Sequence, residues 1–144
     1  MTETTATEPV IRIREIDHVV LRVADIERSR AFWRDVLGCP VERERPDLGL
    51  YQMRAGACLI DLVPVDSQLG RMGGAGPDRE GHNMDHVCLR VEPFDEAGIR
   101  AHLAHHGIET SASGQRYGAE GNGPSLYLQD PDGNTVELKG PPEA

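Results

Sequence analysis

"IDHVVLRV" (residues 16–23) and "MDHVCLRV" (residues 84–91) are nearly the same eight residues written twice, 68 positions apart. Six of the eight paired positions are identical: Asp17/Asp85, His18/His86, Val19/Val87, Leu21/Leu89, Arg22/Arg90 and Val23/Val91. Self-similarity at a fixed spacing marks a duplicated unit rather than a chance match. Each copy reads as a strand, and alternate strand residues share a face. His18 therefore lies on the face of Val20 and Arg22, and His86 on the face of Cys88 and Arg90.

The duplication extends outward from these strands. After the first copy, "DIERSRAFWRDVLG" places Ile26, Trp33, Val36 and Leu37 on one helix face with Asp25 as N-cap; after the second, "EPFDEAGIRAHLAHHG" places Pro93 in a first turn and Ile99 and Leu103 four apart. Gly38 and Gly107 are expected to stop these helices. Short extended segments are expected at 41–44 and 108–111. With a shift of 76, "LYQMRAGACLIDL" (50–62) lies over "LYLQDPDGNTVEL" (126–138), so Tyr51 matches Tyr127 and Asp61 stands opposite Glu137. "DPDG" (130–133) has the make-up of a type I turn, which pairs residues 127–129 with 135–139 as antiparallel strands. Each module thus reads strand, helix, strand, strand, strand. The expected division is a disordered tail over 1–12 and a single domain over 13–140. Within that domain, module 1 covers about 13–65, a glycine-rich aperiodic connector 66–82, and module 2 about 83–140.

A chain of 144 residues with 38% hydrophobic content is one domain's worth. A net charge of −9 argues against a nucleic-acid backbone or an anionic membrane surface as partner. The start "MTETTATEPV" lacks a secretion signal, and no run reaches the ~18 apolar residues of a membrane span. Cys39, Cys58 and Cys88 form no CxxC pair and read as small core residues in a reducing compartment, so a cytoplasmic location is expected.

Two copies of one unit are related by an approximate two-fold axis, across which equivalent residues face each other. If the histidine faces look toward that axis, His18, His86, Asp61 and Glu137 converge. Two imidazoles and two carboxylates suit one divalent ion, Fe, Mn, Ni, Co or Zn, with open positions left for water or substrate. A histidine in a strand is more often structural, but all four candidates fall at equivalent places in a duplication found from other residues. His82 and His86 in "HNMDH" lack the HExxH glutamate. His102, His105 and His106 read as the solvated end of a helix. "GRMGGAG" reads as a rim loop over the cup.

The stretches "DHVVLRVADIERSRAFWRDVLG", "MDHVCLRV" and "SLYLQDPDGNTVEL" together resemble the vicinal oxygen chelate superfamily. That superfamily includes glyoxalase I, fosfomycin thioltransferases, methylmalonyl-CoA epimerase, extradiol dioxygenases and bleomycin-binding proteins. The resemblance implies an α+β fold of two βαβββ modules whose mixed sheets curl into an open cup around a divalent metal. It implies His18, His86 and Glu137 as metal ligands, with Asp61 where glyoxalase I has a glutamate one methylene longer. Arg22 falls where glyoxalase I has an arginine near its substrate, and Ser125 and Tyr127 match a serine and tyrosine of the fosfomycin enzymes. Arg22, Tyr127 and Ser125 are thus candidate substrate contacts, with strand packing as the plainer reading of Tyr127 and Tyr51. Glu137 and Asp61 are the candidate catalytic bases. The activity implied is metal-dependent lyase or isomerase chemistry on a small oxygen-rich molecule. The alternatives are metal-free sequestration of the bleomycin-binding kind, thiol transfer or dioxygenation. A homodimer is expected.

Overall fold

The computed structural model describes residues 9–143, so most of the tail expected over 1–12 lies outside the described residues. In the first repeat strand, β1 (His18–Val23), Leu21 and Val23 are buried while His18 and Val20 stand exposed. The second repeat strand, β5 (His86–Arg90), shows the same alternation, with His86, Cys88 and Arg90 outward and Val87 and Leu89 half-buried. Period-two patterning of this kind leaves one face of a sheet open and covers the other.

Each strand begins a module. In the first, α1 (Ile26–Ala31) is capped by Asp25, whose carboxylate accepts the Arg28 amide, as expected. The helix continues as a π-helical turn over Phe32–Val36. That wider turn lets the consecutive residues Phe32 and Trp33 both face the core. Strands β2 (Val41–Arg45), β3 (Leu50–Ala55) and β4 (Cys58–Pro64) follow, and the sheet order is β1-β4-β3-β2 with β1 parallel to β4. In the second module α3 (Glu96–His105) precedes β6 (Gly114–Gly118), β7 (Gly121–Gln129) and β8 (Thr135–Lys139), in the order β5-β8-β7-β6 with β5 parallel to β8. The result is the expected α+β pair of βαβββ modules with two four-stranded mixed sheets that do not close. Gly38 and Gly107 both adopt φ +73°, the left-handed stop foreseen for them.

Three local expectations give way. Pro93 does not open α3, because Asp95 caps it instead, its carboxylate accepting the Gly98 amide. The second module-2 strand falls at Gly114–Gly118 rather than over 108–111, where the chain leans on β7 only through Ser111 N–H to Tyr127 O (2.9 Å) and Tyr127 N–H to Ser111 Oγ (2.9 Å). The connector contains a short helix, α2 (Gln68–Arg71), capped by the Ser67 hydroxyl.

One hydrophobic core runs through both modules, joining Leu21, Trp33, Met53 and Leu62 of the first with Leu103, Leu126, Val136 and Leu138 of the second. Trp33 crosses the boundary, donating from Nε1 to Asp130 Oδ2 (3.3 Å) in the β7–β8 loop. In the lead-in to β1, Val10, Ile11, Ile13 and Ile16 stand exposed. No helix of the described residues is long and apolar enough to cross a membrane.

Candidate functional site

The open faces of the two sheets carry the candidate residues in matching rows. In the first sheet Val20 lies beside Asp61, and Asp61 beside Gln52. In the second Cys88 lies beside Glu137, and Glu137 beside Tyr127. His18 and His86 sit one row nearer the starts of their strands. His18 Nε2 is 3.9 Å from Asp61 Oδ2, and His86 Nε2 is 3.3 Å from Glu137 Oε1. Both carboxylates are buried, while the imidazoles are partly open, their side chains 46% and 36% exposed.

On their other nitrogens the histidines are held by the preceding residue: His18 Nδ1 lies 2.8 Å from Asp17 Oδ1, and His86 Nδ1 lies 2.6 Å from Asp85 Oδ2. The Asp17 hydrogen bond, reinforced by the charge of Asp61, raises the pKa of His18. Tyr127 packs edge-on against His86, with ring centroids 5.6 Å apart, and burial followed by the charge of Glu137 raises its phenol. Cys88 is open at one side but packed beside Glu137. Desolvation first, and the Glu137 charge second, push its thiol up to about 11.

Four candidates thus form two histidine–carboxylate pairs. Among the described residues no group of three or more His, Cys, Asp and Glu side chains is placed to hold a metal ion. The physical reason lies in the sheets: β1 and β5 are edge strands of separate sheets with no ladder between them, so each imidazole turns to the carboxylate of its own module. The edges nonetheless adjoin. Asn83, just before β5, accepts the Arg22 amide on Oδ1 (3.3 Å) and donates from Nδ2 to the Arg22 carbonyl (2.9 Å) and to Asn134 Oδ1 (3.0 Å). At the opposite end a cavity of about 420 Å³ is lined by Cys58 and by residues 88–91, and the Cys58 thiol donates to Ile16 O (2.8 Å).

The expected substrate contacts have other partners. The Arg22 guanidinium donates to the carbonyls of Gly70 (3.1 Å), Gly74 (2.8 Å) and Ala75 (2.6 Å), tying the connector to β1. Ser125 is fully buried and its hydroxyl accepts from Arg116 (2.7 Å), whose guanidinium also lies 4.7 Å over the Tyr127 ring.

The two tyrosines are not equivalent, contrary to expectation. Tyr51 pairs with Leu62 and faces the helix side, where Arg30 lies 5.6 Å above its ring; Tyr127 pairs with Glu137 on the open side. Eight residues separate the paired Gln52 and Asp61 and nine separate the paired Tyr127 and Glu137, so the module-2 hairpin holds one residue more between equivalent positions, and a one-residue slip turns a strand over. Gln52 occupies the true counterpart of Tyr127 and donates to Asp61 (3.2 Å). Sequence reading missed Gln52 for this reason. It also assigned no role to Asp17 or Asp85, although both belong to the six identical positions. Cys88, expected in the core, is on the open face.

Residues 15–138 match the family described as the Glyoxalase/Bleomycin resistance protein/Dioxygenase superfamily. The chain belongs to that superfamily. The mitochondrial methylmalonyl-CoA epimerase of Mus musculus is 28% identical over 140 residues, covering 92% of this chain and 76% of the mouse protein. A virulence protein of Salmonella typhimurium superposes with a TM-score of 0.74 at 24% identity, covering 90% of this chain and 98% of that one. Lactoylglutathione lyase from Agrobacterium tumefaciens superposes with a TM-score of 0.62 at 19% identity, covering 88% and 92%. The two structural likenesses establish the superfamily fold and nothing finer.

Proposed function

We propose that the protein is a divalent-metal-dependent enzyme of the isomerase or lyase type, acting on a small carbonyl compound with adjacent oxygens. The observation that carries this reading is the duplicated histidine–carboxylate pair. Asn83 sets the end of β1 beside the lead-in to β5, and Cys58 sets the lead-in to β1 near residues 88–91, so the strands pass in opposite directions. Along those edges His18 lies between Ile16 and Arg22, and His86 between Asn83 and residues 88–91. Borderline nitrogen donors and hard oxygen donors then come from both sides of one junction, a set that fits Fe, Mn, Ni, Co or Zn. The fit is in donor chemistry and pairing. Binding would draw the two pairs together across edges that no ladder fixes.

A divalent ion held there would supply Lewis-acid polarisation of the substrate oxygens. The remaining tasks belong to the chain. Glu137, buried beside Tyr127 and Cys88, is placed to remove a proton from the carbon next to the polarised carbonyl and return it. Asp61 is held by Gln52, which favours it as a fixed ligand over a mobile base. Tyr127 walls the site beside His86. Arg22, engaged by three carbonyls, holds the connector instead of meeting substrate. With Trp33 buried and Tyr51 on the helix side, Tyr127 is the aromatic residue left beside the candidate ligands, which disfavours metal-free sequestration by stacking.

The test is proton exchange. Metal-loaded protein incubated with methylmalonyl-CoA, or with the hemithioacetal of methylglyoxal and glutathione, in deuterated water should incorporate deuterium at the carbon next to the carbonyl. Chelation and Glu137→Gln should each reduce that rate at least ~100-fold. Metal-loaded protein that exchanges neither substrate, or a Glu137→Gln variant that exchanges at the native rate, contradicts the assignment.

A further inference from the structure

We propose that Asp17 and Asp85 are positioning residues that fix the tautomer of the two histidines. Each holds the ring proton on Nδ1 and leaves Nε2 as a bare donor aimed at its module's carboxylate. The inference rests on the metal-binding reading above and specifies how the chain prepares its nitrogens for it.

The geometry is the same in both halves. A neutral imidazole carries one proton, and the nitrogen nearer a hydrogen-bond acceptor keeps it. Nδ1 of His18 is 2.8 Å from Asp17, against 3.9 Å between Nε2 and Asp61; Nδ1 of His86 is 2.6 Å from Asp85, against 3.3 Å between Nε2 and Glu137. The proton therefore belongs on Nδ1 in each ring. In the neutral ring the Nε2 lone pair then faces a carboxylate oxygen, and a cation shared between the two would satisfy both acceptors. An unassisted neutral histidine favours the proton on Nε2, which would place hydrogen where the metal must go. Metal-ligating histidines generally donate their other N–H to a carboxylate or carbonyl, and removal of such a partner weakens metal binding 10–100-fold.

The duplication supplies a second, independent line. Asp precedes His in both copies of the repeat, and unlike the repeat's identical Val and Leu positions it has no apolar side chain to pack. A merely solvated aspartate would need no such pairing. The side chains of Asp17 and Asp85 are 89% and 96% exposed, so neither supports the core.

That exposure makes the test clean. Nitrogen-15 NMR of the imidazoles in metal-free protein, with the pH raised until the ring signals stop shifting, should show the proton on Nδ1 in both His18 and His86. Asp17→Ala and Asp85→Ala should move it to Nε2 in the affected ring alone. The same variants should weaken zinc binding about 10–100-fold in chelator competition, with unchanged urea unfolding midpoints. Asp17→Asn and Asp85→Asn, which keep an acceptor oxygen, should recover part of the loss. Native rings protonated on Nε2, or alanine variants with native tautomers and native zinc affinity, overturn the assignment. Native protein that takes up no zinc while showing Nδ1-protonated rings overturns the metal reading and sustains the tautomer assignment.

Discussion

Single side chains decide more here than their size suggests. Asp130, in the β7–β8 loop, accepts from the Asp132 amide (2.9 Å), the Asn134 amide (2.8 Å), Asn134 Nδ2 (2.8 Å) and Trp33 Nε1 (3.3 Å). One buried carboxylate therefore closes its own loop and anchors the tryptophan of the other module. Burial raises its pKa, and the amide donors only partly offset that cost. Asp130→Ala should lower stability by about 2–4 kcal/mol, because it strands buried donors, Trp33 included. Urea unfolding followed by the fluorescence of Trp33 measures this, and a loss below ~0.5 kcal/mol would show that the anchor is not needed. At this scale the sequence was informative about identity but not about orientation. His18 and His86 were legible because the repeat aligns without a gap. Tyr51 and Tyr127 were misleading because one extra residue between the paired positions of the module-2 hairpin reverses the face while leaving the letters in line.

Elements were legible where periodicity carries them. Strand alternation in β1 and β5 and the Asp25 cap of α1 follow from side-chain pattern alone. The π-helical turn does not, since its cause is the packing of both Phe32 and Trp33 against the shared core. Strand β6 was hidden for another reason: "GQRYG" is rich in glycine, and Gly118 and Gly123 lie where an added Cβ would fall 2.9 and 3.0 Å from the Lys139 side chain. Those glycines serve the buried lysine rather than a loop. Junctions between elements are likewise set by tertiary contact. Asn83 ties the β1 edge to the second module through three hydrogen bonds, so Asn83→Ala should cost about 1–3 kcal/mol. Hydrogen exchange should then rise at the amide of Arg22, and native-like protection there would contradict a bridging role.

The whole molecule is a duplicated unit whose two open faces meet at unladdered edges. Its fold and its superfamily were readable from the repeat, because the same buried pattern recurs twice and each copy ends in the same hairpin. The degree of convergence was not readable, since it depends on how closely two sheets approach without a hydrogen bond between them. In the proposed function one chain, through both of its halves, binds one ion. Elemental analysis of the purified native chain beside His18→Ala, His86→Ala and an equimolar co-refolded mixture of the two variants tests this most directly. About one ion per native chain is expected, with little in either variant or in the mixture. A variant that keeps its ion, or a mixture that recovers it by sharing halves between chains, would contradict the account.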